Sequence, residues 1–255
     1  MLKKRIIGVV NILNGWAVQS FGYKKYLPLG KAECLIENLD RWGADEILVQ
    51  AIDRSKNNLG PDFELLEKIG KFGIGTPLIY GGGIRNEQDA HKVIQLGADR
   101  IVVDTLLHNN LKTVETISAQ LGSQAVIASL PMSETNNQPC WYDYGSKSLD
   151  HQFENLCAFL NQGFASEVLL VDYLNEGGIH SFNEKLVSSA QVLKVPLILF
   201  GGITEIPQMK RLLSNSKVSA IACGNTLSYE ELRIQKIKAG INLEYIRNPY
   251  YHEGI

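Results

Sequence analysis

Short runs of apolar, β-branched residues alternate along the chain with stretches whose apolar positions recur every three or four residues. The first pattern is that of a buried strand, the second that of a helix laying one face on a core. Strands are predicted at 5–11, 46–52, 77–80, 100–103, 125–130, 167–172, 196–200 and 220–223. Helices are predicted between them, at 31–42, 62–72, 86–96, 111–121, 149–162, 183–193, 205–214 and 229–239. So regular an alternation argues for a parallel sheet covered by helices, and eight βα units are the number that closes a (β/α)8 TIM barrel. A doubly wound open sheet is the alternative. No linker or low-complexity segment divides the chain, so residues 1–255 are expected to form a single barrel domain. The most irregular stretch, 132–147, is rich in Asn, Ser, Gly, Pro and aromatic residues and reads as a long loop after the fifth strand.

The pattern also repeats at the scale of half the chain. Gly43-Ala44-Asp45-Glu46-Ile47-Leu48-Val49 matches Phe164-Ala165-Ser166-Glu167-Val168-Leu169-Leu170 at a shift of 121, and Asp104-Thr105 matches Asn225-Thr226 at the same shift. Ile79-Tyr80-Gly81-Gly82-Gly83-Ile84-Arg85 matches Ile198-Leu199-Phe200-Gly201-Gly202-Ile203-Thr204 at 119. Three landmarks at a nearly constant offset indicate a barrel built from two half-barrel repeats. Each glycine segment closes a strand and opens a helix. There, backbone N–H groups with no Cβ in the way can receive a phosphate or another anion.

Composition narrows the classes without choosing one. The 255 residues carry 25 basic and 27 acidic side chains, a net charge of −2, which gives no broad electrostatic footprint for nucleic acid. No apolar run approaches the ~20 residues needed to span a bilayer. The basic start Met1-Leu2-Lys3-Lys4-Arg5 is followed by an apolar run that stops at Asn11 with no cleavage pattern, so a cytoplasmic protein without a membrane partner is expected. Cys34, Cys140, Cys157 and Cys223, like the five histidines, are scattered without ligand spacing. Reduced thiols, no metal and no cofactor are expected.

In a barrel, residues at the C-terminal ends of the strands face the ligand and those at the N-terminal ends face the bottom. Sorted this way, the top receives Asn11, Asp53, Gly83, Asp104, Thr105, Glu176, Gly177, Gly202, Gly224 and Asn225. Two glycine turns, each with a partner at the next strand end, suggest a phosphorylated small molecule with two phosphates, although the Asp104 carboxylate would repel one. The bottom receives Arg5, Glu46, Arg100 and Glu167. Two cations and two carboxylates in a barrel mouth are costly unless paired, so they form either a structural plug or a polar gate over an axial passage.

Together these residues resemble the HisF family, the cyclase subunit of imidazole glycerol phosphate synthase, from about Leu2 to about Leu227. The landmarks are Lys4-Arg5-Ile6-Ile7, Asn14-Gly15, Gly43-Ala44-Asp45-Glu46, Gly81-Gly82-Gly83-Ile84-Arg85, Gly97-Ala98-Asp99, Gly122-Ser123-Gln124 and Gly201-Gly202. The resemblance implies a barrel that receives ammonia from a HisH-type glutaminase at its bottom face and passes it through a charged gate to a two-phosphate substrate at the top. The gate positions fall on Arg5, Glu46, Arg100 and Glu167, with Arg100 where the family usually has Lys. The phosphate positions fall on Gly83, Asp104, Thr105, Gly177, Gly202, Gly224 and Asn225.

The catalytic positions depart from that family. Its strand-one aspartate falls on Asn11, and its strand-five aspartate falls at Leu130-Pro131; neither can transfer a proton. Gln19 and Ala51 stand at a loop-one lysine and a strand-two aspartate position, and Glu176 is the candidate stand-in for the strand-six aspartate. Tyr26-Leu27-Pro28-Leu29-Gly30-Lys31 with Leu39-Asp40-Arg41-Trp42-Gly43 resembles a divergent HisF-like branch found with surface-polysaccharide genes. That resemblance implies ammonia delivery to a sugar-amidating enzyme that forms acetamidino groups. An imidazole glycerol phosphate cyclase with an altered acid–base pair and a scaffold subunit without chemistry are the alternatives.

Overall fold

The computed structural model describes residues 3–136, 138–150, 152–242, 244–249 and 251. The strands are β1 (Arg5–Leu13), β2 (Trp16–Phe21), β3 (Lys25–Lys31), β4 (Glu46–Ala51), β5 (Leu78–Gly81), β6 (Arg100–Val103), β7 (Val126–Thr135), β8 (Gln138–Asp143), β9 (Ser148–Asp150), β10 (Glu167–Asp172), β11 (Leu197–Phe200) and β12 (Val218–Cys223). The helices are α1 (Ala32–Arg41), α2 (Phe63–Lys71), α3 (Glu87–Gln95), α4 (Thr105–Asn109), α5 (Leu111–Leu121), α6 (Phe153–Leu160), α7 (Lys185–Ser189), α8 (Ile206–Ser214) and α9 (Arg233–Ile241). The parallel order β10-β11-β12-β1-β4-β5-β6-β7 closes through β7 against β10, so the sheet is an eight-stranded barrel and not an open one.

Alternation along the strands builds two shells. Inward positions such as Ile7, Leu48, Val102, Leu169 and Ile198 fill the bore, while outward ones such as Ile6, Ile47, Ile101 and Leu170 meet the apolar faces of the helices. Helix starts are set locally: the side chains of Asp62, Asn86 and Asn110 accept from the N–H groups of Leu65, Asp89 and Thr113.

The half-chain repeat is visible in the backbone. Ile47 N–H donates to Pro77 O at 2.9 Å, and Val168 N–H donates to Pro196 O at 3.0 Å. Gly82 and Gly201 take φ of +125° and +107°, and Gly83 and Gly202 take +73° and +74°. A Cβ on Gly82 would run into the Ala51 carbonyl oxygen and one on Gly201 into that of Asp172, so both turns admit only glycine.

Several expected elements are corrected. The 132–147 stretch is not a loop: β7 runs on to Thr135 and pairs antiparallel with β8, which pairs with β9. Its buried Cys140 and Trp141 supply the packing that its turn-rich composition hid. The helix predicted from 149 starts at Phe153, because Leu149 pairs with Tyr142 in β9. The 183–193 helix is short and passes into a 3₁₀ turn over Ala190–Val192, and the last helix starts at Arg233, after Leu232 in a left-handed conformation. The β2–β3 hairpin over the barrel top was not anticipated; its alternation is masked by Pro28 and by a register shift between Ala17 and Val18.

Candidate functional site

The charged positions sorted to the bottom come together. The Arg5 guanidinium spans both carboxylates: one nitrogen contacts Glu46 at 3.0 and 3.1 Å and the other contacts Glu167. Arg100 closes the figure with Glu167 at 2.6 Å and Glu46 at 3.6 Å, and is itself held by Ser166 Oγ and the Gln124 carbonyl. These side chains are only about a tenth exposed, at 9–13%. Ser219, which the sequence did not single out, joins the cluster: its hydroxyl accepts from Arg5 at 3.1 Å and donates to Glu167. A register shift between Leu197 and Ile198 leaves Ser219 unpaired in the ladder and free to turn inward.

The two carboxylates are unequal. Burial would raise both, and for Glu46 it prevails over the pull of Arg5 and Arg100. For Glu167, burial is outweighed by Arg5 and Arg100 together with the Ser219 hydrogen bond, which hold its carboxyl below the usual range.

At the other end, a cavity of about 440 Å³ opens between the β2–β3 hairpin, the first glycine turn and the β8–β9 turn. Gly83, Asp104 and Thr105 line it, with Gln50 and Ser129 deeper in. Gly83 N–H donates to Ser55 Oγ at 3.1 Å, a hydroxyl partner rather than a carbonyl. Burial pushes the Asp104 carboxyl up to about 7 against the Ser129 hydrogen bond at 2.9 Å, with Asp143 adding to the rise. A carboxyl that is half neutral near pH 7 lessens the repulsion expected for an anion there. Tyr23, Tyr26, Tyr142, Tyr144 and Tyr173 line the same cavity; the aromatic content of 132–147 signals Tyr142 and Tyr144 alone.

The second turn is differently placed. Gly177, Gly202, Gly224 and Asn225 line a pocket of only about 20 Å³, with Glu176 beside them. Asn225 is occupied by the hairpin, donating from Nδ2 to Ser20 O at 2.6 Å and accepting from Ser20 N–H at 3.2 Å. Glu176 is buried and accepts from the Ser20 hydroxyl at 2.9 Å and Tyr23 N–H at 3.1 Å. Its carboxylate anchors the hairpin rather than facing the open cavity. Asp53, also sorted to the top, accepts from Asn14 N–H at 2.9 Å and fixes the turn into β2.

The positions to which the family resemblance assigns acid–base chemistry carry no acidic group. Asn11 follows Ile7 and Val9 on the inward face of β1, is buried, and leaves its Oδ1 without a hydrogen-bond partner. Leu130 belongs to the outer core, whereas Pro131 is in register with the inward Val171. Of the two candidates for the strand-five position, Pro131 is therefore the one that faces in.

A barrel with duplicated glycine turns around its top and an ion cluster across its bottom defines a (β/α)8 protein of the doubled half-barrel class. The model of the histidine biosynthesis protein family matches residues 5–233, and the chain belongs to that family, as a HisF-type member. It is 24% identical over 240 residues to the imidazole glycerol phosphate synthase subunit HisF of Natranaerobius thermophilus, covering 93% of this chain and 95% of that one. A protein of Campylobacter jejuni, provisionally named imidazole glycerol phosphate synthase subunit hisF2, is 30% identical over 206 residues, 80% of this chain and 82% of its own length. A provisionally named HisF of Leptospira interrogans is 25% identical over 234 residues, 90% and 92% of the two chains. Among the described residues, no helix is long and apolar enough to cross a membrane.

Proposed function

We propose that this barrel is the acceptor, ammonia-conducting subunit of a glutamine amidotransferase system, and that it serves the amidation of a surface-polysaccharide sugar rather than imidazole ring closure. The observation that carries this reading is the conjunction of a complete ion cluster at the bottom with a disarmed wall at the top. Arg5, Glu46, Arg100 and Glu167 are held in contact, while Asn11 and Pro131 stand where closure of an imidazole ring would need proton-transferring groups.

In this reading a HisH-type glutaminase docks at the bottom face and the cluster gates the ammonia it releases. The apolar bore above conducts the neutral molecule, and the glycine turns with Asp104 and Thr105 receive a phosphorylated acceptor. A sugar-amidating enzyme is the further partner. The names of the relatives favour a second reading, an imidazole glycerol phosphate synthase cyclase subunit, which would require another group to replace the missing pair.

The test is coupling. With a glutaminase encoded beside this chain, Arg5→Ala should leave glutamine hydrolysis running while amination of the acceptor falls. Unchanged coupling in a folded Arg5→Ala complex, or failure to bind the glutaminase, would return the cluster to a structural plug.

A further inference from the structure

A further cavity lies between the barrel wall and α1. Gly8, on the outward face of β1, lets α1 settle against the strand, since a Cβ there would stand 2.8 Å from Leu39. Beyond that contact a cavity of about 220 Å³ opens beside Val10, the next outward residue. Leu35 and Leu39 of α1, with Trp42 just after it, line one side, and Val18 and Leu29 of the β2–β3 hairpin line another. The same hairpin supplies Tyr23 and Tyr26 to the barrel-top cavity, so it walls both.

The polar groups of this cavity are all uncharged. Asn11, Asn38, Asn225 and Ser228 line it, and among the described residues no Lys, Arg, His, Asp or Glu does. Asn11 Oδ1 is buried without a hydrogen-bond partner. A strand edge is also open there. β4 pairs with β1 from Ile7 to Ile12, so β2, which pairs with Asn11, Ile12 and Leu13, lies on the opposite edge, the one that β12 occupies up to Gly8. Val9 and Val10 fall in the gap with no partner strand on that edge, and both line the cavity. Strand N–H and C=O groups beside uncharged amide side chains suit a ligand that carries an amide of its own. A charged ligand would have to shed its water with no counter-ion to meet it. The volume exceeds the roughly 150 Å³ that accepts benzene in an apolar protein cavity, which leaves room for a ring and one small substituent.

We propose that this cavity is a ligand site, separate from the barrel top, for a small uncharged molecule that joins a compact apolar body to a carboxamide. The apolar body packs among Leu35, Leu39 and Trp42, and the amide meets Asn11 and the open edge of β1. Because Val18 and Leu29 form part of the wall, an occupied site also fastens the hairpin against α1.

Benzamide is the probe, with benzoate, benzylamine and toluene as its charged and amide-free counterparts, titrated against the full chain at pH 7 by ligand-observed NMR. Benzamide should bind at least tenfold more tightly than benzoate or benzylamine and at least threefold more tightly than toluene. At saturation it should slow backbone amide exchange in β2, β3 and α1 and leave β8 and β9 unchanged. Leu35→Trp, which fills the cavity from α1, should weaken benzamide tenfold or more, with thermal melts reporting its folding; if that variant does not fold, the exchange pattern of the parent chain decides. Equal binding of the charged probes or of toluene, protection at β8 and β9 instead of α1, or unchanged binding in a folded Leu35→Trp would overturn the proposal. So would no binding of benzamide.

Discussion

Lys238 on α9 is fully buried and bonds Asp45, at the foot of β4, at 2.7 Å, with the Gly43 carbonyl at the same distance. Asp45 in turn accepts from Ile6 N–H at 2.7 Å. The last helix is thereby tied to the first two barrel strands through one ion pair. Removing the cation while leaving the carboxylate should be costly, because an unpaired charge would remain in the core. Lys238→Met is expected to lose about 3–5 kcal/mol in urea unfolding. A loss under 1 kcal/mol would show that water reaches Asp45 in the variant.

The bottom cluster makes a comparative prediction. Arg5 contacts both carboxylates, whereas Arg100 shares its hydrogen bonds with Ser166 and the Gln124 carbonyl. Arg5→Ala should therefore destabilise the protein more than Arg100→Ala at pH 7. The gap should narrow as pH falls toward 4, since the carboxylates orphaned in the variant take up protons and the unpaired charge disappears. Urea midpoints at the two pH values read this directly.

Asp104 predicts a pH dependence of opposite sign to that of an ordinary ion-paired carboxylate. Its carboxyl sits at about 7 in the fold and near ~4 when unfolded, so between those values the folded state holds the proton that the unfolded state has lost. Its contribution to stability is full below about 4 and declines as pH rises to about 7. Asp104→Asn should be more stable than the parent at pH 8, by up to roughly 4 kcal/mol, with the difference vanishing toward pH 4. Sulfate, which does not titrate in this range, should bind the parent more tightly at pH 6 than at pH 8, and Asp104→Asn equally at both.

The inner wall predicts a missing activity. With ammonia and the ribonucleotide substrate of the HisF family, the purified chain should form imidazole glycerol phosphate at least ~10²-fold more slowly than an ordinary cyclase, since loss of one positioned acid or base typically costs ~10²–10⁴-fold. Turnover within about tenfold would mean that another group does the work.

Sequence patterning revealed the barrel because each strand is a short apolar run with helical periodicity on either side, and closure follows from the number of such units. Arg5, Glu46, Arg100 and Glu167 were legible for a related reason: a charge at the first position of an otherwise apolar strand has few places to point but the barrel mouth. Ser219 was not, because its entry depends on a one-residue register shift that no local pattern announces. The hairpin and the β8–β9 pair were hidden by Pro, Gly and Asn, which serve extended edge strands as readily as loops. The contrast between the two glycine turns was invisible for a deeper reason. Their sequences are near copies, and what separates them lies elsewhere in the chain, in the hairpin and the β8–β9 turn that wall the larger cavity beside the first.

That hairpin gives the two copies different histories. When a half-barrel is duplicated, both copies begin under the same selection, and a lid fastened to one of them changes what selection can see there. Gly177 and Asn225 are now answerable mainly to folding, since they form the seat on which Ser20 and its neighbours rest. Gly83, Asp104 and Thr105 remain answerable to whatever enters the open cavity. In a population of variants, the second set should drift with the ligand and the first with the lid, so that a molecule built as two equals evolves as two specialists.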